Sequence, residues 1–493
     1  MRRVLKGDIN KDLNKNITYI KDILQNNSDV VFREFLCGNF QCWLIYIDGL
    51  ADKTLLNDYV IESLMLESSH ITKSEEIKER ILTVSDLKEE TDMNKCIDSI
   101  LSGDTVLFIE GLSNFYILAT RAWPNRGVGE PANETSVRGS REGFTETIRF
   151  NTALVRRRIR DKGLKSVPKS IGVRSKTDVV IMYIEDIVNY DALNELMERL
   201  SDINIDSISD SGQLEQLIED DQWSLFPQIQ LTERPDVVSS SLLEGRIAIL
   251  VDNSPFALLV PTIFANFFQS PDDYYQRWIY SSSVRIIRLL SIVISMLATP
   301  LYVAITSYHT SIIPTRLAYS IAASREGVPF PSFIEAIIME ISLALLMEAI
   351  IRLPRPIGAT IGIVGGLVIG QSAVSAGIVS PIMIIIVALT AITSFTTTNY
   401  EISFAFRIIR FTFIIMASTL GLYGIALGCM VTLAHLTKLE SFGISYLSPI
   451  VNLDKGDIKD TIVKYPIRFF TKRPQYMKTG DKVRQNNKGK IGR

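Results

Sequence analysis

The chain has 493 residues, with 52 Lys+Arg against 54 Asp+Glu and a formal net charge of −2. Length, hydrophobic fraction and charge together exclude a disordered tail, a collagen-like fibre and a nucleic-acid binder driven by net positive charge. The near-zero sum conceals a segregation: residues 1–285 carry 32 basic and 44 acidic side chains, residues 286–437 carry seven Arg and five Glu, and residues 438–493 carry 13 basic and five acidic. A single soluble globule does not sort its charge this way. The expected organisation is an α/β soluble domain, an α-helical multi-pass membrane domain and a short basic tail.

In chain order, residues 1–40 read as a helical extension, with Leu13, Ile17, Ile20, Ile23 and Leu24 at helical spacing and no secretory signal. Without a signal the first domain is expected to stay in the cytoplasm. Residues 41–285 alternate short apolar runs with helical patterns. Strands are predicted at 42–48, 105–110, 116–120, 179–184, 246–251 and 256–260. Helices are predicted near 54–66, 93–101, 141–160, 190–200 and 234–243. That alternation predicts an α/β fold in two lobes divided near the turn-rich residues 125–140. Residues 286–437 form the predicted membrane domain, with candidate crossings at 286–308, 333–351, 357–376, 378–397 and 411–436. The basic tail, 438–493, is expected on the cytoplasmic side. Five apolar stretches conflict with two cytoplasmic ends, so one stretch fails to cross or 411–436 doubles back.

No catalytic set emerges, and the chain is not expected to be an enzyme. Cys37, Cys42, Cys96 and Cys429 lack metal-ligand spacing, the chain has three His, and neither a metal site nor a cofactor is expected. Residues 121–176 hold 14 basic and five acidic side chains, beside an acidic 201–285 region with four basic and 13 acidic. Arg156, Arg157, Arg158 and Arg160 cluster at a predicted helix end, where cations are favoured. They are candidates for contacts within the chain, with another subunit or partner, or with anionic lipid; nucleic acid is not expected. In the membrane region Glu335, Glu340 and Glu348 are costly in hydrocarbon, so Glu340 and Glu348, about 80° apart on a helix, are ion-pathway candidates. Pairing with Arg316, Arg352 or Arg355 is the alternative. The Gly-rich 357–377 segment suits close helix packing; Gly366, Gln371, Ser372 and Ser375 are candidates to line a conduit.

RGSREGFTETIRFNTALVRRRIRD (138–161) and SKTDVVIMYIEDIVN (175–189) closely resemble the A subunits of GerA-type spore germination receptors. The likeness continues through EGRIAILVDNSPFALLVPTIFANFFQSPDDYYQRW (244–278), RPIGATIGIVGGLVIGQSAVSAGIVSP (355–381) and LSPI (447–450). The resemblance implies an inner-membrane protein of the spore. Its partners would be a transporter-like, nutrient-binding B subunit and a lipoprotein C subunit. Copies of the A subunit would oligomerise into a nutrient-gated ion channel. A signalling scaffold that relays to a separate channel, and a paralogue encoded with the SpoVA proteins, are the alternatives. The family offers no transferable ligand-binding residue for this subunit.

Overall fold

The computed structural model describes residues 9–66, 74, 76–84, 86–122, 129–131, 134, 136–451 and 457–485. Part of the expected lobe boundary (residues 125–128, 132, 133 and 135) and the tail lysines Lys488 and Lys490 lie outside the described residues.

The first lobe begins with α1 (Leu13–Ile23), capped by the Asp12 carboxylate, which accepts from Asn14 N. Residues 30–37, read from sequence as part of a helical extension, form β1 (Val30–Cys37), paired antiparallel with β2 (Phe40–Ile47). Then come α2 (Lys53–Leu55), a π-helical turn at Leu56–Ile61, α3 (Glu62–Leu66), α4 (Glu76–Arg80), β3 (Leu87–Glu90), α5 (Met93–Leu101), β4 (Thr105–Ile109) and β5 (Phe115–Leu118). The sheet order is β1-β2-β4-β5-β3, with every neighbouring pair antiparallel. Ile17 and Ile20 of α1, with Ile97 and Ile100 of α5, cover one face against Ile45, Ile47, Val106 and Phe108. Leu56, Val60 and Leu64 cover the other against Leu44, Leu107 and Tyr116.

The second lobe contains α6 (Ile148–Arg158), β6 (Leu164–Ile171), β7 (Thr177–Ile184), α7 (Tyr190–Asp202), α8 (Ser211–Ile218), β8 (Gln230–Thr232), α9 (Pro235–Leu243), β9 (Ile247–Val251) and β10 (Ala257–Val260). Its order is β6-β7-β9-β10-β8, again antiparallel throughout. Along β7, Val179 and Ile181 face α7 and α8, while Val180, Met182 and Ile184 face α6 and α9. Both faces are covered, which is why this strand reads as an unbroken apolar run.

The lobes are joined through the Arg cluster. Arg156 is 1% exposed; it donates to Asp29 Oδ1 (2.8 Å), Asp29 Oδ2, Asn27 Oδ1 (2.7 Å) and Leu164 O (3.3 Å). Beside it Asn27 bridges Ser166 in parallel, so the first lobe continues the exposed edge of β6. Lys165 donates to Ile23 O and Gln25 O. Arg157 and Arg158 both bind Glu142, and Arg158 also donates to Ser140 Oγ (2.8 Å). Arg160 alone of the four is exposed. Thus Arg156, a candidate for contact with a partner, is spent inside the chain, because Asp29 and β6 enclose it.

After α10 (Pro271–Tyr275) the chain enters a helical bundle: α11 (Trp278–Ser307), the short α12 (Thr315–Arg325), α13 (Ser332–Arg352), α14 (Arg355–Ser375), α15 (Pro381–Ser394), α16 (Tyr400–Leu420) and α17 (Leu422–Lys438). α11 packs along α15 and α16, α13 against α14, and α16 against α17. The 411–436 stretch is two helices meeting at Gly421, whose φ of +61° suits glycine. A Cβ at Gly424 would lie 2.2 Å from Met416 O, so the hairpin closes only on glycine. Contacts at the far end join α11 to α13 (Ser307 Oγ to Ser332 Oγ, 2.8 Å) and to α16 (Tyr308 OH to Ser418 O, 2.5 Å). At the head end Thr398 Oγ1 donates to Phe267 O (2.9 Å) and Ser224 Oγ meets His435 Nε2 (2.9 Å). The six long helices therefore alternate in direction, and the chain leaves the bundle on the side where it entered.

Replacing Arg156 with Met should uncouple the lobes, because Asp29 would be left buried without its cation. The expected loss is about 3 kcal/mol, read as a lower thermal midpoint and faster proteolysis between the lobes. An unchanged midpoint and cleavage rate would contradict this role.

Candidate functional site

The head meets the bundle through an ionic hub built on Asp273. Ser270-Pro271-Asp272-Asp273 starts α10 as a capping box: Ser270 Oγ accepts from Asp272 N, and Asp273 Oδ2 accepts from Ser270 N. The same Oδ2 accepts from Arg285 Nε (2.9 Å) and Arg288 Nη1 (3.1 Å) on the first turns of α11. Arg288 Nη1 also donates to Phe268 O. Arg285 Nη1 reaches Asp460 Oδ1 (2.8 Å) and Asp460 O (2.5 Å) in the tail, and Lys464 Nζ reaches Asp273 O. Asp273, Arg285, Arg288 and Lys464 are all buried. Three cations face two carboxylates, and Arg285 and Lys464 both lie over the Tyr274 ring, whose π face favours cations. The candidate crossing expected at 286–308 starts directly after Arg285 and contains Arg288. The available signal was their i, i+3 spacing after Ser281 and Ser282, four residues that share one buried face.

A cavity of about 730 Å³ opens beside the hub, bounded by Ser240, Glu244, Tyr274, Thr397, Asp460 and Lys464 among others. It lies between the second lobe, the α15–α16 connection and the tail. The tail folds back as a strap: Arg473 donates to Leu243 O (2.8 Å), Arg484 pairs with Glu244 (3.1 Å), and Gly480 N donates to Ile187 O (3.2 Å).

Inside the bundle Glu340 is buried and paired with Arg410 (2.8 Å), which also donates to Ser295 O (2.8 Å). Thr299 Oγ1 donates to Glu340 (3.2 Å) and lies 3.3 Å from Thr390 Oγ1. These groups join α11, α13, α15 and α16. Glu335 accepts from Arg325 and from Ser380 N (2.9 Å). Glu348 is exposed and paired with Arg352 on its own helix (2.6 Å). Glu340 and Glu348, expected to share one path, are thus held in separate pairs. Gly366, with Gly362 and Gly370, borders an apolar groove of about 440 Å³ between α13, α14 and α15. Gln371, Ser372 and Ser375 are exposed and lie outside that groove.

A second polar contact joins head and bundle. Glu215 of α8 is buried and faces Glu401, with Glu219 and Asp210 nearby. Burial, then repulsion by these neighbours, pushes its carboxyl up to about 9. Burial and Asp220 and Asp221 raise Glu219 to about 7.

These features define a class: an antiparallel-sheet head of two lobes, strapped by its own tail and an ionic hub to a helical bundle. The chain belongs to the GerA family, described as the Bacillus/Clostridium GerA spore germination protein, whose model matches residues 18–476. It is 42% identical over 466 residues to spore germination protein GerLA of Bacillus cereus, covering 94% of this chain and 95% of that one. Spore germination protein B1 of Bacillus subtilis is 42% identical over 480 residues, 97% and 99% of the two chains. The uncharacterized membrane protein YfkQ of Bacillus subtilis is 42% identical over 468 residues, 94% and 91%. The solved N-terminal domain of the A subunit of the Bacillus megaterium germinant receptor GerK3 is 36% identical, spanning 53% of this chain and 98% of that one, with a TM-score of 0.43.

Asp273→Asn should leave two buried arginines under-neutralised and loosen the head, at a cost on the order of 3–5 kcal/mol. Limited proteolysis after residue 275 should accelerate in the variant. For Glu215 the sign runs the other way. A carboxyl held up in the fold costs stability between about pH 4.5 and 9, increasingly as pH rises. Glu215→Gln should therefore raise the melting temperature at pH 8 and change it little at pH 5; an equal change at both would show that the charge is irrelevant.

Proposed function

We propose that this chain is the A subunit of a nutrient germinant receptor in the spore inner membrane, and that copies of it assemble into an ion channel opened at the start of germination. Membership of the GerA family supports the germination role. A transporter-like B subunit and a lipoprotein C subunit are the partners this reading requires.

The observation that carries the membrane reading is the inverted polarity of α11. Its buried face bears Ser281, Arg285, Arg288, Ser295 and Thr299, while Ile286, Ile287, Leu290 and Val293 are exposed. Exposed apolar side chains continue at Ile385 and Leu389 of α15, Ile415 of α16, and Leu427, Met430 and Val431 of α17. A bundle that shows its apolar atoms and hides its polar ones is matched to hydrocarbon. Two helices, Trp278–Ser307 and Tyr400–Leu420, are long and apolar enough to cross by themselves. Six alternating helices make an even number of crossings, with head and tail both cytoplasmic.

For conduction, the support is a polar seam at Glu340–Arg410 and a face of α14 with Gln371, Ser372 and Ser375 uncovered in one copy. A ring of copies would enclose that face, making a conduit between subunits. The hub and strap favour a second reading, a relay that passes a signal from partner to head without conducting.

Potassium efflux from liposomes holding the chain with its partners separates the two readings. Channel formation predicts nutrient-triggered efflux that Ser372→Leu blocks. Gly366→Leu projects into the separate groove between α13, α14 and α15, where the fold tolerates the start of a side chain, and should leave efflux running. Efflux unchanged by Ser372→Leu, or arising only from another protein, would overturn the channel.

A further inference from the structure

The strap has a second face. Residues 457–485 are anchored on one side to the second lobe and on the other to α11, through Arg285–Asp460 and a hydrogen bond from Ser282 Oγ to Lys464 O (3.0 Å). Gln485 Nε2 donates to Ile467 O (2.8 Å) and Phe470 O (2.9 Å), holding the intervening turn in shape. Between and beside these anchors, Ile462, Tyr465, Ile467 (66% exposed, and bordering the cavity) and Phe469 (58%) are uncovered, with the Tyr465 and Phe469 rings in edge contact at 6.4 Å. Four large apolar side chains within eight residues are not expected on a surface that meets only water.

Their level is set by the anchors. Ser282 and Arg285 occupy the turns of α11 just before its exposed apolar face begins at Ile286. Trp278, Ile279 and Tyr280 are exposed at the start of the same helix, and Phe395 and Tyr400 at the two ends of the α15–α16 connection. Aromatic side chains gathered where helices enter a bilayer mark the headgroup layer, where a ring can bury its face and keep its polar edge wet. The strap is also cationic. Residues 457–485 hold eight basic and three acidic side chains, and Asp460 and Asp481 are taken up by Arg285 and Arg473. Lys472, Lys478 and Lys482 are exposed.

We propose that residues 462–469 are an interfacial foot: Ile462, Tyr465, Ile467 and Phe469 insert into the headgroup region of the cytoplasmic leaflet, and the strap lysines meet anionic lipid headgroups. Through Asp460 and Lys464 the foot ties lipid contact to the ionic hub, so the surface of the bilayer helps set how the head sits on the bundle. This inference rests on the membrane reading of the bundle.

The test uses the full chain in nanodiscs containing phosphatidylglycerol, with the four native cysteines replaced and a nitroxide placed at Phe469→Cys, Leu290→Cys or Leu36→Cys. Collision with oxygen against a water-soluble nickel chelate reads depth. Leu290 should read as hydrocarbon, Leu36 as water, and Phe469 between them at headgroup depth, moving toward the Leu36 value when phosphatidylcholine replaces phosphatidylglycerol. A Phe469 site as accessible to nickel as Leu36, while Leu290 still reads hydrocarbon, would overturn the foot and leave the bundle in the membrane. Protection of Phe469 from both reagents would overturn it in favour of a protein partner. A Leu290 site that reads as water would overturn the membrane reading and the foot together.

Discussion

Two arginines on the buried face of α11 dominate the architecture. A guanidinium cannot be neutralised by losing its proton in a folded protein, so Arg285 and Arg288 must be met by carboxylates and carbonyls wherever they are buried. Asp273 meets both, held in place by the capping box that starts α10. Asp460 meets the first from the tail. Head, tail and first helix are thereby committed to one geometry, because removing any of the three leaves a buried charge without its partner.

The other charges follow the same logic at smaller scale. Arg156 welds the lobes, Glu335 ties α12 to α13 and α15, and Glu340 with Arg410 draws four helices together. The junction around Glu215 differs, since carboxyl groups face one another there. One contact between head and bundle thus joins opposite charges, and the other brings like groups together.

Much of the head was legible. Alternation of apolar runs with capped helical segments located β2, β4, β5, β7, β9 and β10, because each is buried on at least one face and bounded by turn residues. β1, β3, β6 and β8 escaped notice for a physical reason. They lie at or beside sheet edges, and Arg33, Glu34, Pro168 and Lys169 interrupt the apolar pattern where one face meets solvent. The strap left no periodic signal at all, since irregular segments held by single polar anchors have none. Of the candidate site residues, the Arg cluster was recognisable as a unit, but a linear pattern does not say that one member points inward to Asp29 while Arg160 stays outside.

What the sequence determined by itself was the partition into an acidic head, a charge-poor middle and a basic tail, together with the family. Charge content per stretch answers to the solvent each stretch must meet, and that constraint is local. The tertiary structure decided the rest. Glycine at 421 turned one apolar stretch into a hairpin, giving six long helices, and packing chose Arg410 for Glu340. Glu348 instead pairs with Arg352 one turn along its own helix, an i, i+4 contact that spacing does encode. Pairing between helices depends on which side chains the fold brings within a few ångströms, and no spacing along the chain encodes that distance.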